Sequence, residues 1–83
     1  MISVATMNDL KPTVRSVLSE FLQVSQAEIT PDLEINGIWQ WDSLAHLELM
    51  MHLEASFDLE IDEAAILDCS TVQGLQVRLG LEF

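Results

Sequence analysis

The side chains in this sequence that are best suited to chemistry lie close together, between Asp42 and His52. Ser43 supplies a hydroxyl, Asp42 a carboxylate, and His46 and His52 are the only two histidines of the chain. A serine, a histidine and an aspartate could form a hydrolytic triad. However, His46 follows Ser43 by three residues on one predicted helix and points toward its core side. With no orienting partner and no oxyanion hole identifiable for this pair, we expect no catalytic activity.

Ser43 is better placed to carry a group than to attack one. It lies at the start of a predicted helix that runs to about Ser56, with Asp42 as its N-cap. A hydroxyl in the first turn is accessible, and the positive end of the helix dipole favours a phosphate ester there. The tripeptide Asp42-Ser43-Leu44 is a weak motif by itself, because ordinary helix capping accounts for the same residues.

The helix that begins at Ser43 carries two apolar stripes. At about 100° per residue, the first stripe is assigned to the core and contains Leu49, Met50, Leu53 and Phe57. The second lies roughly a third of a turn away and contains Leu44 and Met51, with Leu47 between the stripes and Glu48 and Glu54 at its edges. An apolar stripe with carboxylates at its edges is typical of a docking surface. A helix that is covered on two sides would show the same pattern, so both interpretations stay open.

A first helix and a long loop precede this element. Apolar residues recur with helical spacing as far as Leu22, which predicts a helix that begins near Asp9, its candidate N-cap. The connection that follows, 23–42, is long for so small a domain, and such loops are generally packed down or functional. Its isolated apolar residues predict that it packs over the helices. We expect one of Trp39 and Trp41 to cover the core and the other to be partly exposed.

Two more helices complete the expected architecture. Asp62 can cap a short helix that runs through Leu67, and Ser70 with Gln73 forms a capping box for a last helix that ends at Gly80. No segment shows convincing strand alternation. The sequence therefore predicts an all-α four-helix bundle with three main helices, one short helix, and a long loop between the first and second helices.

Composition and charge restrict what such a bundle can do. The chain has 83 residues, 49% of them hydrophobic, which predicts a single domain, 1–83, with a thin core and no deep catalytic cavity. Its net charge is -11, and no Lys or Arg lies between residues 16 and 77. This charge disfavours nucleic acid and membrane surfaces and favours protein partners with basic patches. The single cysteine, Cys69, and the absence of a recognisable signal peptide favour a cytoplasmic location, and we expect a monomer.

Metal binding is not expected. One cysteine and two histidines cannot supply a structural zinc site. The acidic cluster in the second half of the chain lacks the alternating ligands, central glycine and final glutamate of an EF-hand loop. A solvated face is the better interpretation of this cluster, which consists of Asp58, Glu60, Asp62 and Glu63.

The stretch around Ser43 resembles the acyl carrier protein family. The ten residues DSLAHLELMM, 42–51, are similar to the family signature around its modified serine, and the likeness continues through HLEASF, 52–57, Ile61 and STV, 70–72. This resemblance implies a non-catalytic carrier with a 4'-phosphopantetheine arm on Ser43, whose terminal thiol holds intermediates as thioesters. Positions that such carriers use to meet basic patches are matched by Leu44, Glu48, Met51 and Glu54, and we group Asp42 and Leu47 with them as docking residues.

Departures from the family pattern favour a dedicated or secondary-metabolic pathway over housekeeping fatty-acid synthesis. Ala45 stands where primary fatty-acid carriers usually have an acid, Ala55 and Ser56 replace two later acids, and Gln40 replaces a glycine. The expected partners are a phosphopantetheinyl transferase, an acyl- or aminoacyl-loading ligase, and downstream synthases or transferases. Fatty acyl, polyketide, and aminoacyl or peptidyl cargo all stay open, with an acyl group favoured. The alternative is an unmodified acidic helical module for protein interaction.

Overall fold

The computed structural model describes residues 13–83, which form four α-helices and one short 3₁₀ helix. The helices are α1 (Val14–Leu22), α2 (Ser43–Phe57), α3 (Glu63–Asp68) and α4 (Val72–Leu79), and the 3₁₀ helix, Gln26–Glu28, lies between α1 and α2. The one β-type pairing in this part of the chain is an isolated bridge between Glu34 and Thr71. The predicted all-α four-helix architecture, with a long loop after the first of these helices, is confirmed.

Helix α1 begins later than its apolar spacing predicts. Thr13 has an extended backbone and caps the helix, because its Oγ1 accepts a hydrogen bond from the Ser16 backbone N–H at 3.2 Å. The Ser16 Oγ in turn accepts from the Thr13 N–H at 3.0 Å, which completes a capping box. The predicted N-cap at Asp9 lies outside the described residues. Apolar spacing alone cannot show where a helix starts, because hydrogen bonds to the first free N–H groups set that point.

The long loop packs over the helices, as predicted. Trp41 is completely buried and Trp39 is 85% exposed, so one tryptophan covers the core and the other faces solvent. Ile29 is also completely buried, and four further apolar side chains of the loop are half-buried against the core: Val24, Leu33, Ile35 and Ile38. The loop is therefore a structural layer of the domain.

The same loop holds the N-terminus of α4. The Val72 N–H donates to the Leu33 carbonyl and the Gln73 N–H to the Pro31 carbonyl, both at 2.9 Å. The first N–H groups of a helix have no partner within the helix, so these two carbonyls satisfy groups that would otherwise need water. The loop and α4 therefore depend on each other for their hydrogen bonds.

The N-cap of α4 is Thr71, so the predicted capping box of Ser70 and Gln73 is wrong. The Thr71 Oγ1 accepts from the Gly74 N–H at 2.9 Å. Ser70 instead uses its backbone carbonyl, which accepts from the Ile35 N–H at 2.9 Å. Serine and threonine are both good N-caps, and the pairing of this segment with the loop decides which of the two neighbours takes that position.

The remaining helix ends agree with the sequence. Asp42 caps α2 and Asp62 caps α3, each accepting a hydrogen bond at 2.8 Å, from Ala45 and Ala65 respectively. Gly80 ends α4 in the left-handed conformation at φ 69°, which glycine adopts without steric cost. Aspartate side chains that reach backbone groups three residues away, and a glycine free to adopt a positive φ, explain why these ends can be recognised from sequence.

The core lies between α1, α2 and α4 and is closed by the loop. Leu49, Met50 and Leu53 of the first apolar stripe are buried, and Phe57 is half-buried against them. They meet α1 and the C-terminal half of the chain through the buried side chains of Val14, Val17, Leu18, Leu22, Cys69, Val72 and Leu75. A fully buried leucine or valine contributes about 1.5–3 kcal/mol relative to an exposed one, so this core fixes the axis and rotation of α2.

The cap of α4 can be tested with two neighbouring substitutions. Thr71→Ala should lower the free energy of unfolding by about 0.5–2 kcal/mol, because the Gly74 N–H loses its acceptor. Ser70→Ala should change it by less than about 0.5 kcal/mol, since Ser70 acts through its backbone. Urea denaturation followed by circular dichroism measures both variants. A larger loss in Ser70→Ala would contradict this assignment of the cap.

Candidate functional site

Ser43 is the first residue of α2, and its side chain is exposed. Asp42 has an extended backbone, and its Oδ1 is engaged by the Ala45 N–H at 2.8 Å. The cap therefore holds the helix start in place while the Ser43 hydroxyl stays accessible. The positive end of the α2 dipole lies at this point, which favours an anionic substituent such as a phosphate ester on Ser43.

A cleft of about 320 Å³ opens beside Ser43. Its walls come from loop 23–42, from α2, from α3 and from the short segment between α3 and α4. The lining residues are Ile35, Ser43, His46, Leu47, Ile66, Leu67 and Ser70. Four of these seven side chains are apolar. A charged group placed inside would lose its hydration without gaining a partner of opposite charge, whereas a hydrocarbon group would not. The cleft thus suits an apolar group attached close to Ser43.

His46 is buried and is hydrogen-bonded through both ring nitrogens. The Trp41 Nε1–H donates to His46 Nδ1 at 3.1 Å, and His46 Nε2 lies 3.0 Å from the Ile66 carbonyl oxygen. An indole N–H can only donate and a carbonyl can only accept, so this pairing assigns the neutral tautomer with its proton on Nε2. Neither nitrogen is free to take a proton from Ser43. The hydrolytic interpretation of Ser43 and His46 therefore has no base.

Two other side chains with possible reactivity, His52 and Cys69, lie outside the cleft beside Ser43. His52 is exposed on α2, with its ring centroid 5.1 Å from that of Phe21. Cys69 is completely buried, and this burial is the main cause that raises the pKa of its thiol; nearby Arg78 lowers it and Asp68 raises it to smaller extents. A thiol with a raised pKa is a poor nucleophile near neutral pH, so Cys69 acts as a small core residue.

The second apolar stripe of α2 is exposed. Leu44 is 66% exposed, Leu47 50% and Met51 68%, whereas the neighbouring Met50 is 2% exposed. We call Leu44, Leu47 and Met51 the exposed stripe. The sequence leaves open whether the second stripe is a docking surface or a second buried face of α2. The exposure of these side chains shows that a second buried face is wrong. The use of the exposed stripe for docking stays a prediction.

The two glutamates at the edges of the exposed stripe differ in their surroundings. Glu48 is exposed. Glu54 is half-buried, and its Oε2 accepts a hydrogen bond from the Ile61 backbone N–H at 2.8 Å. Glu54 therefore fastens the connector between α2 and α3 to the side of α2. The sequence places Glu54 with Glu48 among the docking residues and does not predict this structural role. Helical spacing could not reveal it, because Ile61 lies outside α2.

Several cleft residues are not among the predicted site residues. Ile35, Ile66, Leu67 and Ser70 come from the loop and from the region of α3, and only the packing of these segments brings them next to Ser43. Leu67 is 77% exposed although it lines the cleft. The adjacent apolar pair Ile66-Leu67 at the end of so short a helix is the one sequence signal that could have indicated a second apolar surface here.

Neither metal binding nor membrane insertion gains support from residues 13–83. No group of three or more His, Cys, Asp or Glu side chains in this range is arranged to hold a metal ion. Of the acidic cluster, Asp62 accepts a hydrogen bond from the Ala65 N–H and lies 3.8 Å from the guanidinium of Arg78. The helices in the same range are too short or too polar to cross a bilayer.

Comparison with known proteins agrees with this geometry. Residues 12–75 match the family described as the phosphopantetheine attachment site. The chain is also 35% identical over 68 residues to an acyl carrier protein from Cyanidioschyzon merolae (strain NIES-3377 / 10D), an alignment that covers 82% of this chain and 75% of that protein. The chain belongs to the acyl carrier protein family.

Family membership fixes the general role of this carrier. It is a non-catalytic protein whose cofactor is a covalently attached 4'-phosphopantetheine. Its partners are, in general terms, a phosphopantetheinyl transferase and synthase enzymes. Both ring nitrogens of His46 are engaged in hydrogen bonds, which is consistent with this role, because a carrier of this kind needs an accessible hydroxyl and no catalytic apparatus.

The hydrogen bonds of His46 can be tested with a matched pair of histidine variants. His46→Phe keeps a ring in the core but leaves the Trp41 indole N–H and the Ile66 carbonyl without their partner. An unsatisfied buried polar group costs about 1–3 kcal/mol, so the free energy of unfolding should fall by at least about that amount. His52→Phe, at an exposed position of the same helix, should change it by less than about 0.5 kcal/mol. Equal losses in urea denaturation would contradict the structural role of His46.

Proposed function

We propose that Ser43 is the attachment point of the phosphopantetheine arm and that the carrier transports acyl groups whose apolar part rests in the cleft beside it. The observation that carries this proposal is the placement of an exposed hydroxyl at the start of α2, directly on the wall of an apolar cleft. A single carrier domain, 1–83, acting in the cytoplasm as a monomer, is part of the same proposal.

Ser43 fits a bulky phosphodiester better than the two serines of α1. Its side chain points into solvent at a helix N-terminus, where a negative charge is favoured. Ser16 and Ser19 of α1 are half-buried, and their hydroxyls are engaged by Thr13 and by the Val24 carbonyl. Modification of either would break these hydrogen bonds, whereas the exposed Ser43 side chain can be modified without losing a hydrogen bond to another residue of the range 13–83.

The chemistry of transport belongs to the arm, and the chain supplies its position and its surroundings. When bound, phosphopantetheine provides a thiol that holds an acyl group as a thioester. Asp42 holds the start of α2 through Ala45, and the apolar walls of the cleft exclude water from a group placed there. Since both nitrogens of His46 are engaged, a transferase must supply the base that activates Ser43.

The lining of the cleft favours an acyl cargo over an aminoacyl one. Ile35, Leu47, Ile66 and Leu67 present hydrocarbon, and none of the lining residues within 13–83 is charged. The ammonium group of an aminoacyl thioester would lose water there without a carboxylate to replace it, which is costly. A hydrocarbon chain would instead gain about 25 cal/mol for each Å² of apolar surface removed from water.

The low acidity of α2 supports a dedicated pathway over housekeeping fatty-acid synthesis. Ala45 is half-buried, while Ala55 and Ser56 are exposed, so the last two are surface positions at which primary fatty-acid carriers usually present an acid. Within α2, Glu48 is exposed and Glu54 is half-buried, and the exposed Asp42 is the N-cap of the helix. Partner enzymes of this carrier are expected to recognise a surface of α2 that is more apolar and carries fewer charges.

Docking on α2 combines the exposed stripe with Glu48. Leu44, Leu47 and Met51 offer apolar contact, and Glu48 at their edge attracts basic side chains of a partner. Exposed charges mainly increase association rate and fix orientation, which suits brief, repeated encounters. We propose that a loading ligase and downstream synthases or transferases bind this surface through basic patches.

The attachment site can be tested by intact mass spectrometry. Incubation with coenzyme A and a broad-specificity phosphopantetheinyl transferase should add one phosphopantetheine to the unmodified chain and none to Ser43→Ala. Ser70→Ala is the matched control, because Ser70 lines the same cleft and should not affect modification. An unchanged mass in the parent chain, or modification of Ser43→Ala, would overturn the proposal.

Electrostatic docking can be tested with two variants of equal charge. Glu48→Lys should slow modification at low ionic strength by about tenfold, because an exposed charge beside the site steers a basic partner. Glu20→Lys changes the net charge equally but lies on α1, and its effect should be smaller. The difference should shrink toward 1 M salt, where the Debye length is about 3 Å. Glu54→Lys is unsuitable here because it would also break the bond to Ile61.

Circular dichroism serves as the structural control for these charge variants. Glu48→Lys and Glu20→Lys should both retain the parent helical spectrum, because each replaces an exposed side chain. Identical modification rates for the two variants at low salt would show that Glu48 has no special part in docking.

A further inference from the structure

Trp39 is the most exposed large apolar side chain of residues 13–83, with 85% of its surface in solvent. The other tryptophan of the loop, Trp41, is completely buried, so only Trp41 is used to stabilise the fold. Tryptophan is enriched at the energetically dominant positions of protein interfaces, because its large surface contributes much when a partner covers it. The exposure of Trp39 is therefore better explained by binding than by folding.

The backbone holds Trp39 in place. It lies in a turn in which the Trp41 N–H donates to the Ile38 carbonyl at 3.1 Å. The Asn36 N–H donates to the Trp41 carbonyl at 2.6 Å, which closes the base of the turn. The buried Trp41 ring, hydrogen-bonded to His46, anchors this segment in the core. A side chain presented on a fixed turn loses less conformational entropy when it is bound.

Trp39 lies within reach of any enzyme that acts on Ser43. Ser43 follows Trp39 by four positions, so their Cα atoms are at most about 14 Å apart. A protein interface of ordinary size covers about 800 Å² on each partner, which corresponds to a radius of about 16 Å. A partner centred on Ser43 can therefore cover Trp39 as well.

The charge of the carrier indicates the chemistry of this partner. No Lys or Arg occurs between residues 16 and 77, so a complementary surface is basic. The two described arginines have partners elsewhere: Arg15 lies over the Phe83 ring at 4.4 Å, and Arg78 pairs with carboxylates of the α3 region. An exposed indole next to an acidic surface suits a basic partner, because an arginine guanidinium can stack on its face.

We propose that Trp39 is an anchor residue for the phosphopantetheinyl transferase, and that an arginine on a basic surface of this enzyme stacks on the Trp39 indole. This inference rests on the proposed role of Ser43. According to this inference, the transferase contacts the loop before α2 in addition to the exposed stripe and Glu48.

The kinetic test compares three variants in the transferase reaction, followed by intact mass. Trp39→Ala should lower kcat/KM by about tenfold or more, mainly through a higher KM, because it removes binding contacts and leaves Ser43 in place. Trp39→Phe keeps an aromatic ring and should retain most of the rate. Val77→Ala, which removes a 72%-exposed apolar side chain from α4, should stay within about twofold of the parent. Thermal melts of all three should match the parent.

The outcomes separate this inference from the proposed function. If the parent chain is modified on Ser43 and Trp39→Ala reacts within twofold of it, the anchor role is wrong and the carrier function stands. If the parent chain is not modified at all, both are wrong. An equal loss of rate in Val77→Ala would also overturn the anchor role, because the effect would not depend on the position of the side chain.

Fluorine NMR provides a direct readout of contact. Incorporation of 5-fluorotryptophan gives one signal for Trp39 and one for Trp41, assigned with Trp39→Phe. Titration of Ser43→Ala with the transferase should shift or broaden the Trp39 signal while the Trp41 signal moves little. No change at Trp39 would contradict the proposal. Ser43→Ala carries no arm, so a shift of the Trp39 signal in this titration arises from the transferase itself.

Discussion

The buried chain of hydrogen bonds from Trp41 through His46 to Ile66 connects three parts of the molecule. Trp41 belongs to the loop, His46 to α2, and the Ile66 carbonyl to α3. Buried polar groups are costly when unpaired, so each of these residues fixes the position of the next. The loop carries Trp39 and leads to Ser43, and α3 forms a wall of the cleft. The position of the site relative to its cleft therefore follows from one histidine that itself takes no part in chemistry.

Features of the fold that depend on local spacing could be predicted from the sequence. Asp42 and Asp62 cap their helices through backbone groups three residues away, and the two stripes of α2 follow from helical geometry. The spacing of Trp39 and Trp41 predicts that one of them is buried and the other exposed, but only the structure shows that Trp41 is the buried one. Ser43 could be singled out because its helix position, its neighbours and the family resemblance all indicate one role.

Features that depend on contacts between distant segments could not be predicted in this way. Both Ser70 and Thr71 are competent N-caps, and the bonds from the loop to the start of α4 select Thr71. Glu54 reads as a free carboxylate until the Ile61 N–H is placed beside it. The cleft could not be predicted either, because its walls come from segments that are distant in sequence and share no periodicity. Sequence patterns describe each element, while the site arises from how the elements meet.

The small size of α3 has a consequence for the dynamics of the carrier. Six residues are too few for a helix to persist by itself, so α3 is held in place by its cap, by the His46 bond and by its apolar contacts. Segments with few such contacts open locally at a free-energy cost well below that of global unfolding. We therefore expect the backbone amides of α3 to exchange with solvent more readily than those of α1, α2 and α4. Release of the proposed acyl chain from the cleft would then require only a local opening of α3, without unfolding the rest of the domain.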